Sequence, residues 1–585
     1  MAVRSGMRPL ARLLDELEEW KLRRAGGVGS LLRLLSELSR RDLRRAADLA
    51  RLHEAALFLR AYPHSRRVRE ATESILRSVP ERVARLEESG EGLSLFDELE
   101  YAGVAGTTVA TEFTYPVTRW LAENVPGIEA SWDVHEQPDR LGEGLTRFVP
   151  LLEEEALADA VVPHLEWLRA AVGPGGRDLP WLLDRFERLD KSEAEKAELF
   201  DALGVVTSWR LGRSRYSRTL LRKPGPAAFF HAGPLLSRRE TDFAGILAGP
   251  PMPVRRLTRR EGEAMVDVTR GTTTARYREF YGFTHGDRVT AIAGRPGRGL
   301  EIFFFGIRPE ARLPLRATHT AIYFVNGIAV GYFEGLSLFE RMEVGFNIYY
   351  TFREGESAWL YAQVLRLCRQ ITGVSSFSID PYQIGHENKE AIESGAFWFY
   401  RKLGFRPTDP KVAALVEREE RKIAQRPGYR TSAATLHRIA TCNLLYEVDQ
   451  RRAPSAQRPS SDWDRFHVRR LGLAVNRRMA RQFEGNAERI RVASTNSVAR
   501  KLRVNPGRWK EGERKSFEKY ALVLDLLPDL ARWSREEKRD LVAVIRSKAG
   551  RAEASYLRRM QRHQRLRQSL IELGSRSRSR LLSLP

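Results

Sequence analysis

Few stretches of this chain carry chemistry in their residue types and spacing alone. His386-Glu387-Asn388-Lys389-Glu390 begins like a zinc-helix pattern, but the second histidine is missing, so it reads as a loop opening a helix with Asn388 as cap. Gly294-Arg295-Pro296-Gly297-Arg298-Gly299 is glycine-rich and basic. Its amides and arginines could hold a phosphate, yet its place just before a strand favours a plain turn. A nucleophile elbow, a P-loop and a dinucleotide fingerprint are all lacking. Cys368 and Cys442 are the only cysteines, too few for a disulfide framework or a cysteine-rich metal site, and each reads as a buried small hydrophobe. His53 and His64 have no partner at ligand spacing. No metal site is expected.

The elements that position chemistry lie between 340 and 406. Arg341 to Tyr350 is rich in β-branched and aromatic residues and reads as a strand. Thr351 to Ala358 is a turn, Trp359 to Ile371 an amphipathic helix, and Val374 to Ile379 a second strand closed by Asp380-Pro381. Glu390 to Leu403 reads as one helix ended at Gly404. Strand, turn, helix and strand in that order imply a right-handed parallel crossover, with a helix N-terminus facing whatever binds beyond the strand ends. Upstream, Glu261 to Tyr281 looks helical, and Leu300–Ile307, Ala317–Val325 and Ile328–Gly335 look like antiparallel strands. Asn326-Gly327 is a type I′ hairpin signal.

The segment Gly395-Ala396-Phe397-Trp398-Phe399-Tyr400-Arg401-Lys402-Leu403-Gly404-Phe405 resembles the last conserved helix of the GNAT family of acyl-CoA-dependent N-acyltransferases, and the order of elements over roughly 260–450 is similar to that family's. The resemblance implies acyl transfer to an amine, with acyl-CoA as co-substrate and the acceptor unspecified. It assigns Tyr400 the protonation of the departing thiolate. An acid near the fourth strand would take the amine's proton, with Glu343 the first candidate and Glu334 the second. Asn347, Ile348 and Tyr349 fall where a strand edge binds pantetheine, and Arg353, Gly355, Ser357 and Ala358 fall in the pyrophosphate loop. There Glu356 replaces the family's central glycine, beside Glu354. A carboxylate about 4 Å from a phosphate costs roughly 1 kcal/mol in water and about 4 at an effective dielectric near 20. Pyrophosphate binding therefore requires both acids to point away.

The full chain has 585 residues, enough for about three domains, with 42% hydrophobic residues and no apolar run long enough to span a membrane. A basic start followed by Asp15, Glu16, Glu18 and Glu19 does not fit a signal peptide, so a cytoplasmic location is expected. Residues 451–585 hold 34 Lys+Arg against 14 Asp+Glu, nearly all of the net charge of +23. This points to nucleic acid or another polyanion as partner of that part, the alternative being a solvated helical surface. The expected fold class is multidomain α + α/β: a mostly helical region over 1–250, a mixed sheet flanked by helices over 255–450, a linker at 451–461, basic helices over 462–572 and a disordered Ser/Arg tail at 573–585. The helices of the last region are placed near 462–483, 485–503, 512–527 and 534–572. Within the first, Thr107 to Phe113 is read as helix in preference to a ligand-facing turn, and Leu199 to Val206 as a docking helix. A second function class competes with the enzyme: a GNAT-shaped binding protein that has lost its cofactor and works through its basic C-terminal region.

Overall fold

The computed structural model describes residues 8–22, 27–132, 138–149, 163–223, 228–448 and 461–575. Most of the expected linker (451–460) and of the Ser/Arg tail (576–585) therefore lies outside the described residues. The chain is mixed α/β. Strands β1 (Thr108–Glu112), β2 (Ile128–Ala130) and β3 (Val206–Arg210) form a small antiparallel sheet in the order β1-β3-β2. The second sheet has nine strands: β4 (Val254–Arg256), β5 (Ile292–Gly297), β6 (Leu300–Gly306), β7 (Ala317–Val325), β8 (Ile328–Leu338), β9 (Arg341–Ile348), β10 (Ser376–Ile379), β11 (Arg406–Pro407) and β12 (Leu444–Glu447).

β4 to β9 run as an antiparallel meander, then β10 joins β9 in parallel and the order closes through β12 to β11. Every residue of β6 and β7 is buried, which is why their apolar runs are continuous rather than alternating. Asn326 and Gly327 both take positive φ, 51° and 80°, as the type I′ turn between β7 and β8 requires. The parallel crossover runs through the Ser357–Thr372 helix, which is capped by Gly373 at φ 80°.

Several expected elements come out differently. Thr107 to Phe113 is not helical; it holds β1, whose partner β3 lies about a hundred residues away and has no local signature. The helix placed at 199–206 ends at Ala202, and β3 follows. The single helix expected over 390–403 is broken into Lys389–Glu393 and Ala396–Lys402, because Gly395 adopts φ 66° between them. The long final helix divides into Arg535–Lys548, Glu553–Arg562 and Gln564–Ser575.

One cluster of buried apolar side chains runs from Leu13 through the large sheet to Leu573, so the first hundred residues, the sheet and the C-terminal helices share a core. A second cluster around Phe186, Phe200 and Trp209 belongs to the small sheet and its helices. Charge ties the same parts together. Glu54 on the Ala46–Ala61 helix pairs with Arg218 and accepts from Thr351, just beyond β9. Arg567 in the last helix binds Glu340 beside β9, and Trp463 Nε1 donates to Glu340 at 2.8 Å. Among the described residues no helix is long and apolar enough to cross a membrane.

Candidate functional site

The parallel register between β9 and β10 covers Arg341 to Glu343 against Ser376 to Ser378 and stops there. β9 continues to Ile348 without that partner, while Asp380-Pro381 turns the chain away from it. A cleft follows from this parting of the strands. Its empty volume is ≈ 900 Å³, open solvent at the mouth included. Its lining draws Phe346, Asn347 and Ile348 from the end of β9, Arg353 and Ser357 from the loop and helix start that follow, and Gln383, Asn388, Glu390, Phe399 and Tyr400 from the chain beyond β10.

Five of the residues singled out in the sequence meet here: Asn347, Ile348, Arg353, Ser357 and Tyr400. Tyr400 is 4% exposed, and burial pushes its phenol well above the ordinary tyrosine range, so it stays protonated at neutral pH. Its ring is held edge-on to Tyr361 at 5.7 Å between centroids and to Phe405 at 5.8 Å. No hydrogen bond to its phenol oxygen is present among the described residues. Asn347 lines the cleft at the strand edge, and its carbonyl accepts from the Tyr323 phenol. Ser357 Oγ donates to the Arg353 carbonyl at 2.9 Å.

The other four stand elsewhere. Glu343 is at the opposite end of β9, about 13 Å from Asn347 at the usual rise of a strand. There it lies 3.6 Å from Arg316 and 3.9 Å from Arg341, in a small pocket closed by Trp463 and Phe466. Tyr349 is buried under the Arg276 guanidinium. Gly355 faces Tyr62, whose phenol oxygen would be 2.8 Å from a Cβ placed on it. Ala358 is buried in the core beside it.

The acids that threatened the loop do point away. Glu356 is 1% exposed and turned from the cleft; Arg298 holds it through both carboxylate oxygens, and the Leu236 amide donates to it at 2.9 Å. Of the Gly294–Gly299 segment expected as a plain turn, Arg298 and Gly299 make the β5–β6 turn, while the residues up to Gly297 belong to β5. Glu354 pairs with Lys21. The acid that does face the cleft is Glu390, bound to Arg353 at 2.7 Å. Burial would raise its carboxyl, but hydrogen bonds from Tyr350 and Arg353 outweigh that and hold it below the usual range. Glu334, on β8 opposite Gly345, is raised by burial although the Gly282 amide donates to it.

Gln383, Asn388 and Glu390 were not foreseen as cleft residues. Asn388 was legible only as a cap, and it does accept from the Ala391 amide at 3.1 Å. Among the described residues no group of three or more His, Cys, Asp or Glu is arranged to hold a metal ion. No family model, curated protein or solved structure matches the chain.

Proposed function

We propose that the chain is a GNAT-like N-acyltransferase that moves an acyl group from acyl-CoA to an amine. The observation that supports this reading is the cleft at the parting of β9 and β10, with a strand edge, a helix start and a protonated phenol on its walls. In this reading the thioester arm runs along Asn347 and Ile348. The amine nitrogen attacks the thioester carbonyl, the N–C bond forms, and the C–S bond breaks. Tyr400 donates to the departing sulfur and recovers its proton from solvent. Glu390 is a poor base because two donors hold its carboxylate ionised. Glu334 has the better affinity for a proton. Its carboxylate lies by the Gly282 amide rather than on the cleft wall, so the amine's proton would reach it through water.

Titrating the intact protein with acetyl-CoA in a calorimeter tests the reading, with saturable binding at or below millimolar ligand as the expected result; no heat discards it. Tyr400→Phe should then lower turnover by about 10²-fold or more while leaving binding within a few-fold, the usual scale for loss of a proton donor. Equal turnover removes the acid role.

One observation favours the competing class, a binding protein without cofactor. The loop before the Ser357–Thr372 helix is covered by the N-terminal helices through Tyr62 on Gly355 and Glu54 on Thr351. That reading expects no acetyl-CoA binding and a nucleic-acid affinity, carried by the basic C-terminal part, that falls steeply with salt.

A further inference from the structure

A second, smaller pocket adjoins the cleft and shares Asn347, Ile348, Arg353 and Glu390 with it. Its remaining walls are Leu99, Glu100, Arg276, Arg278, Tyr332, Tyr349 and Tyr350, around an empty volume of ≈ 420 Å³, open solvent at the mouth included. It opens on the other face of the sheet. Tyr332 pairs with Asn347 across β8 and β9 and packs on Phe280, whereas Phe346, one residue along, packs on Tyr361 of the crossover helix.

Three guanidiniums meet in this pocket. Arg353 has Glu390. Arg278 forms no ion pair among the described residues. Arg276, at the C-terminal end of the Arg259–Thr274 helix, is 6% exposed, and its Nε has no hydrogen-bond partner. Its guanidinium carbon lies 3.7 Å from the Tyr349 ring centroid, and the Tyr349 phenol oxygen is also unpartnered. Burial pushes Arg276 down to about 10. The nearest charges behind it, Arg218 and Glu54, already satisfy each other. Glu100 and Glu390 are the acids on the pocket wall; Glu100 is exposed, and Glu390 is taken by Arg353.

A buried guanidinium without a counter-ion is a costly thing to keep, and ring contact offsets only part of that cost. Planar donors converging on a small pocket suit a carboxylate or phosphate, which they grip in pairs. A molecule lying along the free edge of β9 reaches both pockets.

We propose that Arg276, Arg278 and Arg353 form an oxyanion subsite that binds a carboxylate or phosphate group carried by the acyl acceptor. The assignment to the acceptor rests on the acyl-transfer reading; the anion binding itself does not.

The test is calorimetric titration of the intact protein with succinate and with inorganic phosphate at low salt. At least one is expected to bind at millimolar concentration or tighter, and the tighter of the two identifies the preferred anion. Arg276→Met, matched in length and apolar, should weaken it at least tenfold. Arg276→Lys should recover part of the loss, and Lys411→Met, a surface change elsewhere, should leave it unchanged. If neither anion binds at 50 mM, or if Arg276→Met binds equally well with an unaltered urea transition, the subsite is overturned. Saturating succinate or phosphate should not displace acetyl-CoA; displacement transfers the subsite to the donor and overturns the acceptor assignment. Anion binding without any acetyl-CoA binding keeps the subsite and discards acyl transfer.

Discussion

His319 shows what burial does to a single titratable group. It is enclosed on β7, stacked on Phe304 at 5.1 Å, with Lys548 and Arg312 as its nearest cations. Burial first, and those cations second, push its imidazole down to about 3. The folded state therefore keeps His319 neutral where the unfolded chain, near 6.5, takes up a proton. Its contribution to stability is fully present above pH 6.5 and is lost as pH falls toward 3. Urea unfolding from pH 7 to pH 4 should show a falling midpoint, and His319→Phe should flatten that slope. A His319→Phe protein with the same pH dependence contradicts the assignment.

At the scale of elements, the β9 side of the cleft depends on how closely β8 approaches β9. Gly331 lies opposite Ile348, and a Cβ there would overlap both the Asn347 carbonyl oxygen and the Tyr323 phenol that donates to it. Both are held by packed neighbours, since Tyr323 stacks on Phe346 at 5.5 Å. Gly331→Ala is thus expected to cost roughly 1–3 kcal/mol, the range for overpacking a filled core. It should also shift the Asn347 strand edge, so acetyl-CoA affinity should drop along with the unfolding midpoint. A full loss of stability with unchanged affinity would mean that this edge does not touch the ligand.

At the scale of the molecule, the C-terminal helices are docked by buried charge as well as by apolar area. Lys548 is 3% exposed; it pairs with Glu553 and donates to the Arg316 carbonyl at 2.8 Å. Glu553 accepts from the Thr318 amide at 3.1 Å, and Arg312 donates to the carbonyls of Lys548, Gly550 and Arg551. Lys548→Ala leaves Glu553 buried without its cation, which typically costs about 3–5 kcal/mol. Exchanging both partners for apolar residues of similar volume, Lys548→Met with Glu553→Leu, should restore the urea midpoint to near that of the original protein. Because these helices share a core with the sheet, a chain ending at residue 448 is expected to expose apolar surface and aggregate, so charge-reversal on the exposed helix faces is the cleaner probe of polyanion binding.

The local pattern was enough to place β7 to β10, the Ser357–Thr372 helix, the Asn326-Gly327 turn and the Asn388 cap. Each depends on periodicity or on a residue's own backbone preference. It also marked Tyr400, Asn347, Ile348, Arg353 and Ser357, which fall within one crossover unit and so come together as a consequence of short-range order. Tertiary structure decided the rest. β1 and β3 exist by pairing across a long separation, and Glu356 is turned aside by Arg298 from another hairpin. Glu343 is removed from the cleft by its place on the strand, and Arg276 is brought to the adjoining pocket from some seventy residues upstream. Sequence spacing encodes which residues share an element; which element ends beside which, and therefore which charges must be buried together, is fixed only when the core closes.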